Sequence, residues 1–244
     1  MIKVIGFDLD GTLAGEEFDK IIWNEEIPKL YAKKNKLSIE DAKTKVYADY
    51  FKAKYIENVP EWTNIEYWFK RFGLENGWNK LLEDVKGKIY LYSETVKVLK
   101  KLSKYKRVIV SNSHPHFLSM KLKIEGLSQY FNEIISTPTF HHKKKSKHLF
   151  KDLLGHWGIK PEEMAFVGND YEEDYENPSA VGIHAFFLDR EKKEKGDNIV
   201  CDLNEFVEKV RGIQKTVKPQ KSMWSAGGKL ALKEILEDLR DESA

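Results

Sequence analysis

The chain has 244 residues, 41% of them hydrophobic and 33% charged, and its 41 lysines and arginines nearly balance 39 aspartates and glutamates. A net charge of +2 gives no global basis for binding nucleic acid or a membrane surface, and the composition is that of a folded globular protein. The single cysteine, Cys201, excludes an intramolecular disulfide framework and fits a reducing cytoplasm.

In chain order, Met1 to Phe7 reads as a buried strand: short, apolar, rich in β-branched residues and closed by a turn signal in "FDLDGT". This apolar stretch meets Asp8 too early to be expected as a signal peptide, and no long uncharged apolar run marks a membrane span. From Ala14 to Lys88 helical patterns take over, in "IIWNEEIPKLYAKK", "SIEDAKTKVYADYFKAKYIE" and "NIEYWFKRFGLENG". Aromatics concentrate there, from Trp23 to Trp78, as expected of the core of a small helical bundle with a few side chains left to line a pocket.

From Leu91 the chain alternates helix and strand. "SETVKVLKKLSKY" reads as a helix with Ser93 as cap, "KRVIVSNS" as a strand and "FLSMKLKIEGLSQYF" as a helix. "NEIIST" is a short strand, "KHLFKDLLGHWGI" a helix ending near Gly158, and "MAFVGND" and "HAFFLDR" are further strands. Such alternation predicts an α/β fold: a Rossmann-like parallel sheet with helices on both faces, plus a small all-helical cap domain. The expected division is residues 1–13 and 89–211 for the α/β core, 14–88 for the helical domain, and 212–244 for a linker and an amphipathic helix with Leu232, Ile235, Leu236 and Leu239 on one face. That apolar stripe is compatible with a monomer or a homodimer.

Sites in parallel sheets lie beyond the carboxyl ends of the strands, and polar clusters follow three of these strands. They are Asp8-Leu9-Asp10, Ser111-Asn112-Ser113 and Asn169-Asp170, the last followed by Asp174. Two carboxylates one residue apart at a strand tip repel unless a cation sits between them. Acids grouped without histidine or cysteine at ligand spacing suit a hard cation such as Mg²⁺, which takes one or two carboxylates, waters and a phosphate oxygen. Asp8 then suits a carboxylate nucleophile toward phosphorus, and Asp10 a proton donor and acceptor. The phosphate would be held by backbone N–H groups from Leu9 to Gly11, the Ser111 hydroxyl and a lysine of "HHKKKSK". That run lacks the interleaved aromatics and basic surroundings of a nucleic-acid patch, and His141 and His142 read as surface residues.

"FDLDGT", "VIVSNS", a lysine ahead of a helix and "VGNDYEEDYENPSAVGI", in that order, resemble the four motifs of the haloacid dehalogenase superfamily. The resemblance implies that Asp8 is the nucleophile and Asp10 the general acid/base. It places Ser111 and Asn112 on the phosphoryl group. Asp170 would bind Mg²⁺ with Asp8 and the Asp10 carbonyl, and Asp174 would support that shell. Asn169 precedes the acid where the motif often reads Gly-Asp, which implies a supporting role for the asparagine. If Ser146 caps the following helix, Lys144 falls at the family's lysine position, with Lys145 next. The superfamily's dehalogenases lack an acid at the place of Asp10, so its presence points to phosphoryl transfer. The implied activity is that of a capped, cytoplasmic, Mg²⁺-dependent phosphatase of a small phosphate ester working through an aspartyl phosphate. A phosphomutase or a non-catalytic phosphate-ester binding protein are the alternatives. The segment 14–88 resembles the superfamily's lid, with hinges expected at Ala14-Gly15 and Lys86-Gly87-Lys88.

Overall fold

The fold comes from a computed structural model in which residues 1–75 and 77–216 are described. After β1 (Val4–Phe7) the chain leaves the sheet for a helical segment: α1 (Glu17–Ile21), a π-helical turn (Ile22–Glu26), α2 (Ile27–Asn35), α3 (Ile39–Phe51), a second π-helical turn (Lys52–Ile56), α4 (Ile65–Arg71) and α5 (Trp78–Val85). It then alternates through α6 (Thr95–Lys101), β2 (Lys106–Ser111), α7 (Pro115–Leu122), β3 (Glu133–Ser136), α8 (Lys147–Trp157) and β4 (Met164–Gly168). The short α9 (Asn177–Ser179), β5 (His184–Leu188), β6 (Ile199–Val200) and α10 (Leu203–Thr216) complete the described chain.

The strands form one parallel sheet in the order β3-β2-β1-β4-β5-β6. Alternation along the strands loads both faces. Ile5, Phe7, Ile109, Ala165 and Val167 pack with Val98 and Leu99 of α6 and Phe206 and Val210 of α10. Val4, Val108, Val110 and Phe166 pack with Leu149, Phe150 and Leu153 of α8. This is the two-sided burial that a parallel sheet requires. Because β1 lies between β2 and β4, the chain reverses its winding direction there, and a crevice opens beyond the tips of all three strands.

Local chemistry sets the helix limits. Ser38 and Asn64 accept hydrogen bonds from Asp41 N and Glu66 N to cap α3 and α4. Ser146 caps α8 as expected, accepting from Leu149 N at 3.2 Å, and the helix stops at Gly158 in the left-handed region, φ 61°. Ser93 does not cap α6: the helix begins at Thr95, whose hydroxyl donates to Leu13 O at 2.8 Å and ties the helix to the strand exit. The single helix expected over residues 117–131 is instead α7 followed by a 3₁₀ stretch, Ile124–Tyr130, with Gly126 at φ 61°. At the other end α10 runs on to Thr216, past the expected core limit at residue 211; the remainder of the C-terminal linker and helix lies outside the described residues.

The helical segment builds its own apolar cluster from Phe18, Ile22, Trp68, Phe72, Trp78 and Leu82, joined to the sheet side by Phe117 of α7. Its two connections to the sheet run side by side: Gly15 N donates to Tyr90 O at 3.0 Å and Tyr92 N to Leu13 O at 3.1 Å. Among the described residues no helix is long and apolar enough to cross a membrane.

Candidate active site

Asp8 leaves β1 with its backbone still paired, Asp8 N donating to Val167 O at 3.0 Å, and the residue is 5% exposed. The chain then turns sharply at Gly11, φ 78°, where a Cβ would strike the Asn169 side chain. Thr12 Oγ1 lies 3.1 Å from Asn169 Oδ1 and 3.4 Å from Asp8 Oδ2, so the turn after β1 is stitched to the end of β4. Arg190, just past β5, supports the same turn from behind: its guanidinium donates to Gly11 O and Thr12 O, pairs with Glu94 and stacks 3.5 Å over the Tyr92 ring. Both Asp8 and Asp10 are thereby carried on a rigid loop.

A buried ammonium faces the first aspartate. Lys145 Nζ is 2.7 Å from Asp8 Oδ1 and 2.5 Å from Asp174 Oδ1, with Lys145 3% exposed and Asp174 fully buried. The two carboxylates raise the lysine's proton affinity against the cost of burying its charge. Burial pushes the Asp8 carboxyl up to about 8, with the Asp174 and Asp10 charges adding to it and the Lys145 ammonium opposing it. Asp174 is likewise raised, first by burial. It stands against Gly168, where any side chain would collide with its carboxylate, and its Oδ2 accepts from Asp170 N at 3.0 Å.

The lysine expected here, Lys144, points elsewhere: its Nζ reaches Glu172 Oε1 at 2.6 Å and its side chain is 41% exposed. The backbone decides between the two neighbours. Lys145 N donates to Asn112 Oδ1 and Glu173 Oε2, and Lys145 O accepts from Asn177 Nδ2, which pins that residue and aims its side chain inward. Asn112 is committed to this frame, donating to Glu173 Oε2 at 2.5 Å and accepting from Thr137. Ser111 is 2% exposed and its hydroxyl accepts from Ser113 N at 3.1 Å. Asp170 caps the following turn, accepting from Glu173 N at 2.8 Å, and is exposed. His142 binds Asp152 at the surface, away from these acids.

Asp10 is held by two residues to which the sequence reading gave no role: Ser113, named only as part of its strand-end cluster, and Lys121. Ser113 Oγ donates to Asp10 Oδ2 at 2.7 Å, and Lys121 Nζ lies 2.5 Å from Asp10 Oδ1. Lys121 is 1% exposed and its ammonium also pairs with Asp19 of α1, so one charge bridges the sheet side and the helical segment. Burial pushes the Asp19 carboxyl up to about 7, with the Lys121 ammonium opposing the rise. A signal for Lys121 existed: it lies four residues after Phe117, on the buried face of α7.

The donors beyond β1 and β4 are hard oxygens, and two buried carboxyls, those of Asp8 and Asp174, converge on the one ammonium of Lys145. Asp174 Oδ1 touches that ammonium without an aligned hydrogen bond. Among the described residues no three histidine, cysteine or acidic side chains converge on one point. The oxygen donors and the unaligned Asp174 oxygen fit Mg²⁺, which takes few carboxylates and completes its shell with carbonyls, waters and phosphate.

Residues 2–182 match the haloacid dehalogenase-like hydrolase family. The chain belongs to that family. Among the relatives of this hydrolase is the GMP/IMP nucleotidase YrfG of Escherichia coli, 26% identical over 186 residues, covering 75% of the chain and 80% of the relative. A phosphoglycolate phosphatase of Aliivibrio fischeri is 30% identical over 101 residues, covering 41% and 44%. The crystal structure of a HAD phosphatase from Thermococcus onnurineus superposes with a TM-score of 0.72 at 25% identity, covering 86% of this chain and 99% of that one. The haloacid dehalogenase-like hydrolase thus has both phosphatase and nucleotidase relatives, and its parallel α/β sheet is the fold expected of the family.

Proposed function

We propose that this hydrolase is a Mg²⁺-dependent phosphatase of small phosphate monoesters that works through an aspartyl phosphate on Asp8. The observation that carries the reading is the pair of strand-end carboxylates with separate partners: Asp8 on Lys145, Asp10 on Ser113 and Lys121. An Asp8 oxygen attacks phosphorus while the bond from phosphorus to the leaving oxygen breaks, and Asp10 gives that oxygen its proton. In the second half Asp10 takes a proton from water, the water oxygen attacks phosphorus, and the bond to Asp8 breaks to release inorganic phosphate. Both aspartates end as they began.

Lys145 supplies positive charge to the phosphoryl oxygens and orients Asp8, and Ser111 with the N–H groups after Asp8 completes the anion site. Asp8, the Asp10 carbonyl and Asp170 would hold Mg²⁺, with Asp174 steadying them; when bound, the ion neutralises the negative charge gathered on phosphate and carboxylates. The helical segment 14–88 serves as a cap that shields the reaction from bulk water, hinged at Ala14-Gly15 and Lys86-Gly87-Lys88 beside the paired connections of Gly15 and Tyr90. Phosphate release from a panel of esters, with and without Mg²⁺, tests the reading. It requires Mg²⁺-dependent release by wild type and none by Asp8→Asn; release that is indifferent to both contradicts it.

A further inference from the structure

A cavity of about 460 Å³ opens beside Asn112, Ser113 and Asp19, between the acid-bearing loops and the helical segment. Its volume lies within the range of about 300–1,000 Å³ usual for small-molecule sites. The remaining wall is largely aromatic, with Trp23, Tyr50, Tyr55, Trp62, Trp68 and Phe117. Trp23 and Phe117, both in the wall, stack with ring centres 5.6 Å apart and planes 7° from parallel. At the rim, Tyr55 is 60% exposed, and Lys54 Nζ sits 4.1 Å from the centre of the Trp62 ring.

The polar atoms of this wall are mostly spent within the protein. Tyr50 Oη donates to Trp23 O, Trp68 Nε1 to Trp62 O, and Trp62 Nε1 to Lys143 O. Asp19 is taken by Lys121. Thr63, another wall residue, has a buried hydroxyl without a hydrogen-bond partner among the described residues. A polyol entering such a cavity would give up water for walls that return few hydrogen bonds, a costly exchange. A flat ring system with a few edge polar groups gains contact with the aromatic wall and loses little.

We propose that the cavity receives the leaving group of the substrate and that this group carries a planar nucleobase, making the substrate class nucleoside 5′-monophosphates. The proposal rests on the phosphatase reading above. The ester phosphate lies at Asp8, the ribose passes Ser113, and the base stacks among the cap aromatics. The net reaction is nucleoside 5′-monophosphate plus water to nucleoside plus inorganic phosphate.

The test compares kcat/KM for AMP and GMP with that for ribose 5-phosphate, which has the same primary phosphate ester without a base. The expected preference for the nucleotides is at least about tenfold, equivalent to ~1.4 kcal/mol. Trp62→Ala collapses that ratio toward one. Tyr55→Ala, at an exposed side chain, reduces it too and covers the case in which Trp62→Ala does not fold. Adenosine or guanosine alone quenches tryptophan fluorescence in wild type and less in either variant. Ribose 5-phosphate cleaved as well as the nucleotides, with Asp8-dependent turnover intact, overturns the substrate class and leaves the phosphatase reading standing. No Asp8-dependent hydrolysis of any ester overturns both.

Discussion

Lys145 Nζ lies 2.7 Å from Asp8 Oδ1 in a setting where neither residue is more than 5% exposed. A charge-assisted contact this deep fixes the attacking oxygen and places a positive charge where phosphoryl oxygens arrive. Lys145→Ala is therefore expected to lower kcat by at least about 10²-fold, the scale of losing one preorganised electrostatic partner. Removing one member of a buried ion pair also costs about 3–5 kcal/mol of stability, so a chemical melt accompanies the assay. Lys144→Ala, at the neighbouring exposed lysine, leaves both kcat and the melting midpoint close to wild type. Equal losses in the two variants would reverse the assignment.

Lys121 couples Asp10 to Asp19 across the boundary between the sheet and the helical segment. Lys121→Met keeps the length of the side chain and removes its charge, so that Asp10 loses its ammonium partner and keeps the Ser113 hydroxyl. The expected result is a fall in kcat of about 10²-fold, within the range for impaired general acid–base chemistry. Asp19→Asn retains the contact with Asp10 and has a smaller effect. A double-mutant cycle between positions 19 and 121 should give a non-zero coupling energy, whereas additivity would show that the bridge does not act as a unit.

Arg190 braces the turn after Asp10 through two carbonyls, Glu94 and the Tyr92 ring. Its planar fork is what lysine cannot reproduce. Arg190→Lys should lower kcat more than it raises KM, because the loop that carries both aspartates loosens while the cavity is untouched. Steady-state kinetics on one ester reads this directly, and an effect confined to KM would place Arg190 in substrate binding instead.

His114, in the cavity wall, has its imidazole pushed down to about 4 by burial, with His116 adding to the effect. Its folded-state affinity for protons is lower than in the unfolded chain, where histidine titrates near 6.5. Below pH 6.5 the unfolded chain takes up a proton that the folded one resists, so this contribution is complete above pH 6.5 and is lost as pH falls toward 4. Melting temperatures measured across that window should drop less steeply for His114→Gln than for wild type; identical slopes would exclude the contribution.

Much of the fold was readable because alternation and turn signals are local. The buried strands, the three polar clusters at their tips and the Ser146 cap all follow from short stretches of chain. Long-range choices were not readable. Lys144 and Lys145 are neighbours in one lysine run where the resemblance favoured Lys144, and the contacts of the Lys145 backbone with Asn112, Glu173 and Asn177 decide for Lys145. Ser93 looked like a cap, but Thr95 takes the helix start through a bond to Leu13, far away in the chain. Lys121 on a buried face was legible as an anomaly; its partner Asp19 was not, since nothing local brings α1 to α7.

The central claim is that Asp8 carries the phosphoryl group between substrate and water. Rapid acid quench during turnover, followed by proteolysis and mass spectrometry, tests it most directly. The account predicts one added phosphoryl group on the peptide containing Asp8, absent in Asp8→Asn along with turnover. Full phosphate release by Asp8→Asn, with no modification of that peptide in wild type, would contradict it.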